Sequence, residues 1–115
     1  SLREQLVVYV RAETNKVLIY GDAPEDQLFA ESTALGEAAL SVAEVAGAAG
    51  MAGLGEVARG IYSLTNAVRT QGFWHAEAVH VHIGALALLC RLGREDDGTV
   101  ANQLHAMRRS LGVSD

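Results

Sequence analysis

His75, Glu77, His80 and His82 fall within eight positions of one another. Imidazoles and a carboxylate at that density are the obvious place to look for metal or group-transfer chemistry. Glu77-Ala78-Val79-His80 has the Glu-x-x-His spacing with which helical bundles ligate di-iron centres. Such a centre needs a second Glu-x-x-His and two further inward glutamates, and the chain has no second copy of the motif. It has no His-Glu-x-x-His either. At about 100° per residue, His75 and His82 share one face of a helix, while Glu77 and His80 lie nearly opposite. The cluster therefore divides into two pairs that cannot hold one ion, and neither a metal nor a cofactor is expected.

The members then have separate roles. His82 shares its face with Val79, Leu86 and Leu89 and reads as a packed imidazole whose polar atoms are answered by backbone or side-chain groups. His75 is expected to be half exposed near the helix start. Trp74, Val81 and Leu88 repeat at sevens, which makes Trp74 a core or lid residue. His80 shares a narrow polar stripe with Glu77, Gly84 and Arg91. A solvated surface imidazole fits that stripe. So does a phosphate-accepting histidine, which needs a nucleophilic nitrogen, an orienting carboxylate and little bulk where a second active site approaches. Ordinary catalysis is not expected, because the chain lacks a G-x-S-x-G elbow, a P-loop and a G-x-G-x-x-G turn.

The elements that carry these residues follow from hydrophobic spacing. Residues 1–21 are rich in β-branched and aromatic types: Leu6 to Val10 and Val17 to Tyr20 flank the polar Ala12 to Lys16, which predicts a β-hairpin, with a helix as the alternative. Asp22 or Ala23 caps a helix that has Pro24 in its first turn and runs to about Ala46, with Leu28, Leu35 and Val42 at sevens. Gly47 to Gly50 breaks the chain. A second helix runs from about Met51 to Thr70 and carries a line of small residues, Gly53, Gly60 and Ala67. Gly72 ends it. A third runs from Phe73 or Trp74 to Leu92. A last short helix, capped by Asp96 or Asp97, buries Val100, Leu104, Met107 and Leu111 and is closed by Gly112. The fold class expected is mainly α: one domain over residues 1–115, an antiparallel four-helix bundle over 22–115 preceded by the short hairpin or extra helix.

Half of the 115 residues are apolar, enough for one core, and the net charge is -5. That sign excludes a nucleic-acid surface and an anionic membrane surface. The pair Arg108-Arg109 suits the C-terminal end of a helix. Cys90 is the only cysteine, so no intrachain disulfide forms; in the run Ala87 to Cys90 it reads as a small buried hydrophobe. With no secretory signal in view, a cytoplasmic, reducing location is expected. The apolar run from Val81 to Cys90 is too short to span a bilayer.

An acidic helical bundle of this size resembles the histidine-phosphotransfer (HPt) domains of bacterial phosphorelays, whose motif is roughly His-x-x-Lys-Gly followed by small residues. Ala43 to Leu54 echoes it with glycines, small residues and a following helix, but Ala43 stands for the histidine and Ala46 for the lysine. His80-Val81-His82-Ile83-Gly84 keeps the histidine and the glycine, with Ile83 for the lysine. The first alignment implies a degenerate domain that binds a receiver or kinase without phosphotransfer. The second implies a phosphotransfer protein using His80.

The leading expectation is a non-enzymatic protein-binding module of two-component signalling. Its candidate contact residues are Gly47, Gly53 and Gly60 on the small-residue faces, and Glu77, His80, Gly84 and Arg91 on the polar stripe. For each glycine the competing role is close helix packing inside the bundle. A homodimer is the third class, with the N-terminal hairpin pairing across subunits by its exposed edge.

Overall fold

Ser1 starts the first helix by accepting the Glu4 amide on its side chain at 3.3 Å. That helix, α1 (Leu2–Leu18), replaces the expected hairpin. Val10, Thr14 and Val17 are completely buried along one stripe, and that stripe packs on the third and fifth helices. Intrinsic β preference yields here to burial of a single face, and the polar segment from Ala12 to Lys16 holds neither glycine nor proline to interrupt the helix. Instead Lys16 and Glu13 pair at 2.6 Å along the helix surface. The computed structural model describes residues 1–92 and 98–115, and among these every regular element is helical.

The expected long helix from Pro24 to Ala46 is two helices, α2 (Glu25–Ala30) and α3 (Ser32–Ala46). The bend is at Glu31 (φ -106°, ψ 20°). There the Tyr20 hydroxyl donates to the Glu31 carboxylate at 3.0 Å, and Ser32-Thr33, better at a helix start than in its interior, follows. Pro24 itself is the cap residue, in extended conformation, in place of Asp22 or Ala23. Leu28, Leu35 and Val42 are all fully buried, as their spacing predicts.

The remaining helices are α4 (Ala52–Gln71), α5 (Ala76–Leu92) and α6 (Thr99–Ser110). Helix α4 is the centre of the structure: it packs on α3, α5 and α6 and buries eleven of its residues. Gly36 of α3 lies so close to Thr65 of α4 that a β-carbon there would overlap the threonine hydroxyl. Gly72 ends α4 in the left-handed region (φ 74°). Phe73 to His75 then cross to α5, which begins later than the sequence predicts. The expected caps Asp96 and Asp97 lie outside the described residues. None of the described helices is long and apolar enough to cross a membrane.

Candidate functional site

Helix α5 carries two histidines, His80 and His82, in different environments, and an outward face with neither. On its inner face His82 is completely buried. Its Nδ1 bonds the Ala78 carbonyl at 2.8 Å, and its Nε2 lies 3.0 Å from Nη1 of Arg108. A guanidinium can only donate, so Nε2 accepts, and the proton of this imidazole sits on Nδ1. Burial, reinforced by Arg108, pushes the His82 pKa down to about 4 against the opposing pull of Ala78 and Asp115. His82 is thus a neutral packing residue, as its apolar neighbours imply.

Arg108 is the surprise of this network. Read as a helix-end cation, it does lie in the last turn of α6, but it is only 5% exposed. Its Nε donates to Asp115 at 2.9 Å, and Asp115 also meets Nδ1 of His105 at 2.7 Å. Burial opposes ionisation of Asp115, but Arg108 and His105 outweigh it and hold the carboxyl below its ordinary range. The guanidinium occupies the room left by Gly60: a β-carbon there would overlap Nη1 and would lie 2.7 Å from the central guanidinium carbon. No local pattern joins Gly60, His82, Arg108 and Asp115 in the sequence. The only signal was a glycine in the interior of a helix.

His80 is half-buried, and its Nε2 lies 2.9 Å from the Ala23 carbonyl. A carbonyl accepts only, so Nε2 carries the proton and fastens the segment before α2 to α5. A nitrogen so engaged has no lone pair for a phosphoryl group, which leaves Nδ1 as the only nucleophilic position.

The outward face of α5 consists of Glu77, Val81, Gly84, Leu88 and Arg91, all exposed. Val81 and Leu88 are each 42% exposed. On a helical projection the five fall within about 80° of one another. The stripe expected to be polar is therefore apolar at two of its positions, while His80 turns toward α2. Trp74 is half-buried and meets Phe29 edge-to-face at 5.5 Å, without Val81 and Leu88 as core companions. Around Gly84 a β-carbon would meet nothing within 4 Å.

Beside this face lies a groove of about 460 Å³, lined by Glu77, Ala78 and Val81 of α5, Met107 of α6, Leu111, Glu25 and His75. Nε2 of His75 and Nε1 of Trp74 are buried without hydrogen-bond partners among the described residues. No group of three His, Cys, Asp or Glu residues able to hold a metal occurs among the described residues.

The candidate glycines separate cleanly. Gly53 and Gly60 are buried and belong to packing, with no surface to offer a partner. Gly47 is exposed at the end of α3, with open space around it. Gly84 is exposed in mid-helix. Cys90 is a free thiol, partly buried. No protein-family model matches the chain, and no curated protein or solved structure is significantly similar to it.

Proposed function

We propose that this chain is a non-catalytic helical module that docks another protein through the outward face of α5. Gly84 carries the reading. A glycine within a helix costs about 0.5–1 kcal/mol relative to alanine, and none of the described residues approaches it closely enough to require one. Its use is outside the chain: it lets a second backbone come close between two exposed apolar side chains, Val81 and Leu88. The antiparallel four-helix bundle, the cytoplasmic location and a setting in bacterial two-component signalling, with a receiver domain or kinase as partner, belong to the same proposal. Their support is the helical architecture, the acidic charge and the HPt-like echoes of residues 43–54 and 80–84.

Phosphotransfer by His80 is the second reading, and the bond from His80 to Ala23 speaks against it. Capture of binding proteins by immobilised wild type, Leu88→Asp and Leu2→Asp tests the docking face. Partners held by wild type and Leu2→Asp but lost with Leu88→Asp are expected, and identical capture by all three would overturn the reading. Incubation with a phosphorylated receiver tests the alternative: acid-labile phosphate on wild type that is absent from His80→Gln would replace the binding-only reading.

A further inference from the structure

The outward face of α5 is nearly palindromic in both charge and shape. Glu77 stands seven residues before Gly84 and Arg91 seven after it; Val81 stands three before and Leu88 four after. All five are exposed. Neither Glu77 nor Arg91 forms an ion pair among the described residues, where the pairs are those of Ser1, Lys16, His105 and Arg108.

Two such helices laid antiparallel across a two-fold axis at Gly84 have complementary surfaces. Seven residues of helix is about 10.5 Å, so Glu77 of one copy comes level with Arg91 of the other, at both ends of the contact. Val81 comes within one residue, about 1.5 Å, of level with Leu88 of the second copy, twice over. The two Gly84 positions face one another at the crossing point, where a side chain would hold the helices apart. A two-fold contact requires one patch to complement itself, and opposite charges equidistant from a central glycine meet that requirement. A parallel arrangement would set Glu77 against Glu77 and Arg91 against Arg91.

We infer that the occupant of this face is a second copy of the chain, joined as an antiparallel α5–α5 dimer crossing at Gly84. The inference rests on the reading of α5 as a docking face and puts a second copy there in place of a receiver or kinase. It differs from dimerisation through the N-terminal segment, whose expected strand edge does not exist.

Light scattering on the full chain over a dilution series tests it. Wild type is expected at twice the chain mass, falling to the single mass on dilution. Glu77→Arg and Arg91→Glu each convert both ion pairs to like-charge pairs and are expected to weaken association roughly tenfold. The double reversal is expected to restore it. Gly84→Gln, for which the folded chain has room, is expected to leave a folded single chain by circular dichroism. A wild type that stays at the single mass at every concentration overturns the inference. So does a dimer indifferent to Gly84→Gln, or one that the double reversal fails to restore. A single-mass wild type whose captured partner is lost with Leu88→Asp would overturn the second copy as occupant and leave the docking face standing. Indifference of both capture and mass to Leu88→Asp and Gly84→Gln would remove both.

Discussion

Arg108 donates to Nε2 of His82 at 3.0 Å in the interior, through room that exists only because residue 60 is a glycine. Burial of the imidazole, reinforced by this permanently charged donor, disfavours its protonation in the folded state. The unfolded chain takes up a proton at His82 near its ordinary value of 6.5, whereas the folded chain resists until about 4. Between those values the unfolded state binds more protons, so stability falls as pH falls, by on the order of 3 kcal/mol in total. Asp115 adds to this lower down: its carboxyl is held below its ordinary 3.8, so its contribution is present above that value and lost beneath it. Urea unfolding at steps from pH 7 to 4 is expected to show the decline in wild type and a flatter profile in His82→Gln. Parallel profiles would remove His82 as the cause.

Gly60→Ala adds a methyl group where the Arg108 guanidinium lies. Its helix-propensity gain is expected to be outweighed by overpacking, for a net loss of roughly 1–3 kcal/mol. In an Arg108→Ala background the overlap with the guanidinium is gone and only the 3.0 Å approach to Cδ2 of His82 remains, so the same substitution is expected to cost less. A double-mutant cycle on the unfolding free energies measures the coupling, expected at about 1 kcal/mol or more. Additive effects would mean that the glycine does not serve the arginine.

Gly36 and Gly84 should respond oppositely to alanine. At Gly36 the added carbon meets the Thr65 hydroxyl between α3 and α4, so the melting temperature is expected to fall. At Gly84 it meets nothing, and measured in dilute solution Gly84→Ala is expected to stabilise by about 0.5–1 kcal/mol.

Thr14 is fully buried, and its hydroxyl has no hydrogen-bond partner among the described residues. Thr14→Val keeps the shape and removes the orphaned polar atom, with an expected gain of about 1 kcal/mol. A loss in denaturant unfolding would show that the hydroxyl is satisfied in solution.

The legible parts of the fold were those that depend on one face of one helix. Leu28, Leu35 and Val42 announced their burial by spacing, and His82 by its apolar neighbours. Helix α1 was misread because Val7, Val8 and Val10 favour strands locally, and the partners that bury Val10, Thr14 and Val17 lie far along the chain. The break at Glu31 depends on Tyr20, eleven residues earlier. His80, expected to be accessible on the polar stripe, is half-buried because the carbonyl that engages it belongs to Ala23, 57 positions away. Gly84 was singled out for the room it leaves. Its meaning appeared only once Val81 and Leu88 were seen to be exposed beside it.

The Gln71 side chain donates to the Gly112 carbonyl at 2.9 Å and accepts the Ser114 amide at 3.1 Å. This two-point clasp fastens residues 112–115 to the last turn of α4. Those residues carry Asp115, the carboxylate that balances the buried guanidinium. The electrical neutrality of the interior is thus delegated to a segment outside any helix, held by the exposed amide clasp, the buried Val113 side chain, the Val113 amide on the Arg108 carbonyl and the contacts of Asp115. Each local opening of that segment strips the guanidinium of its counter-charge, so slow amide exchange at Ser114 should track exchange in the middle of α4 and α6, far beyond the reach of the clasp itself.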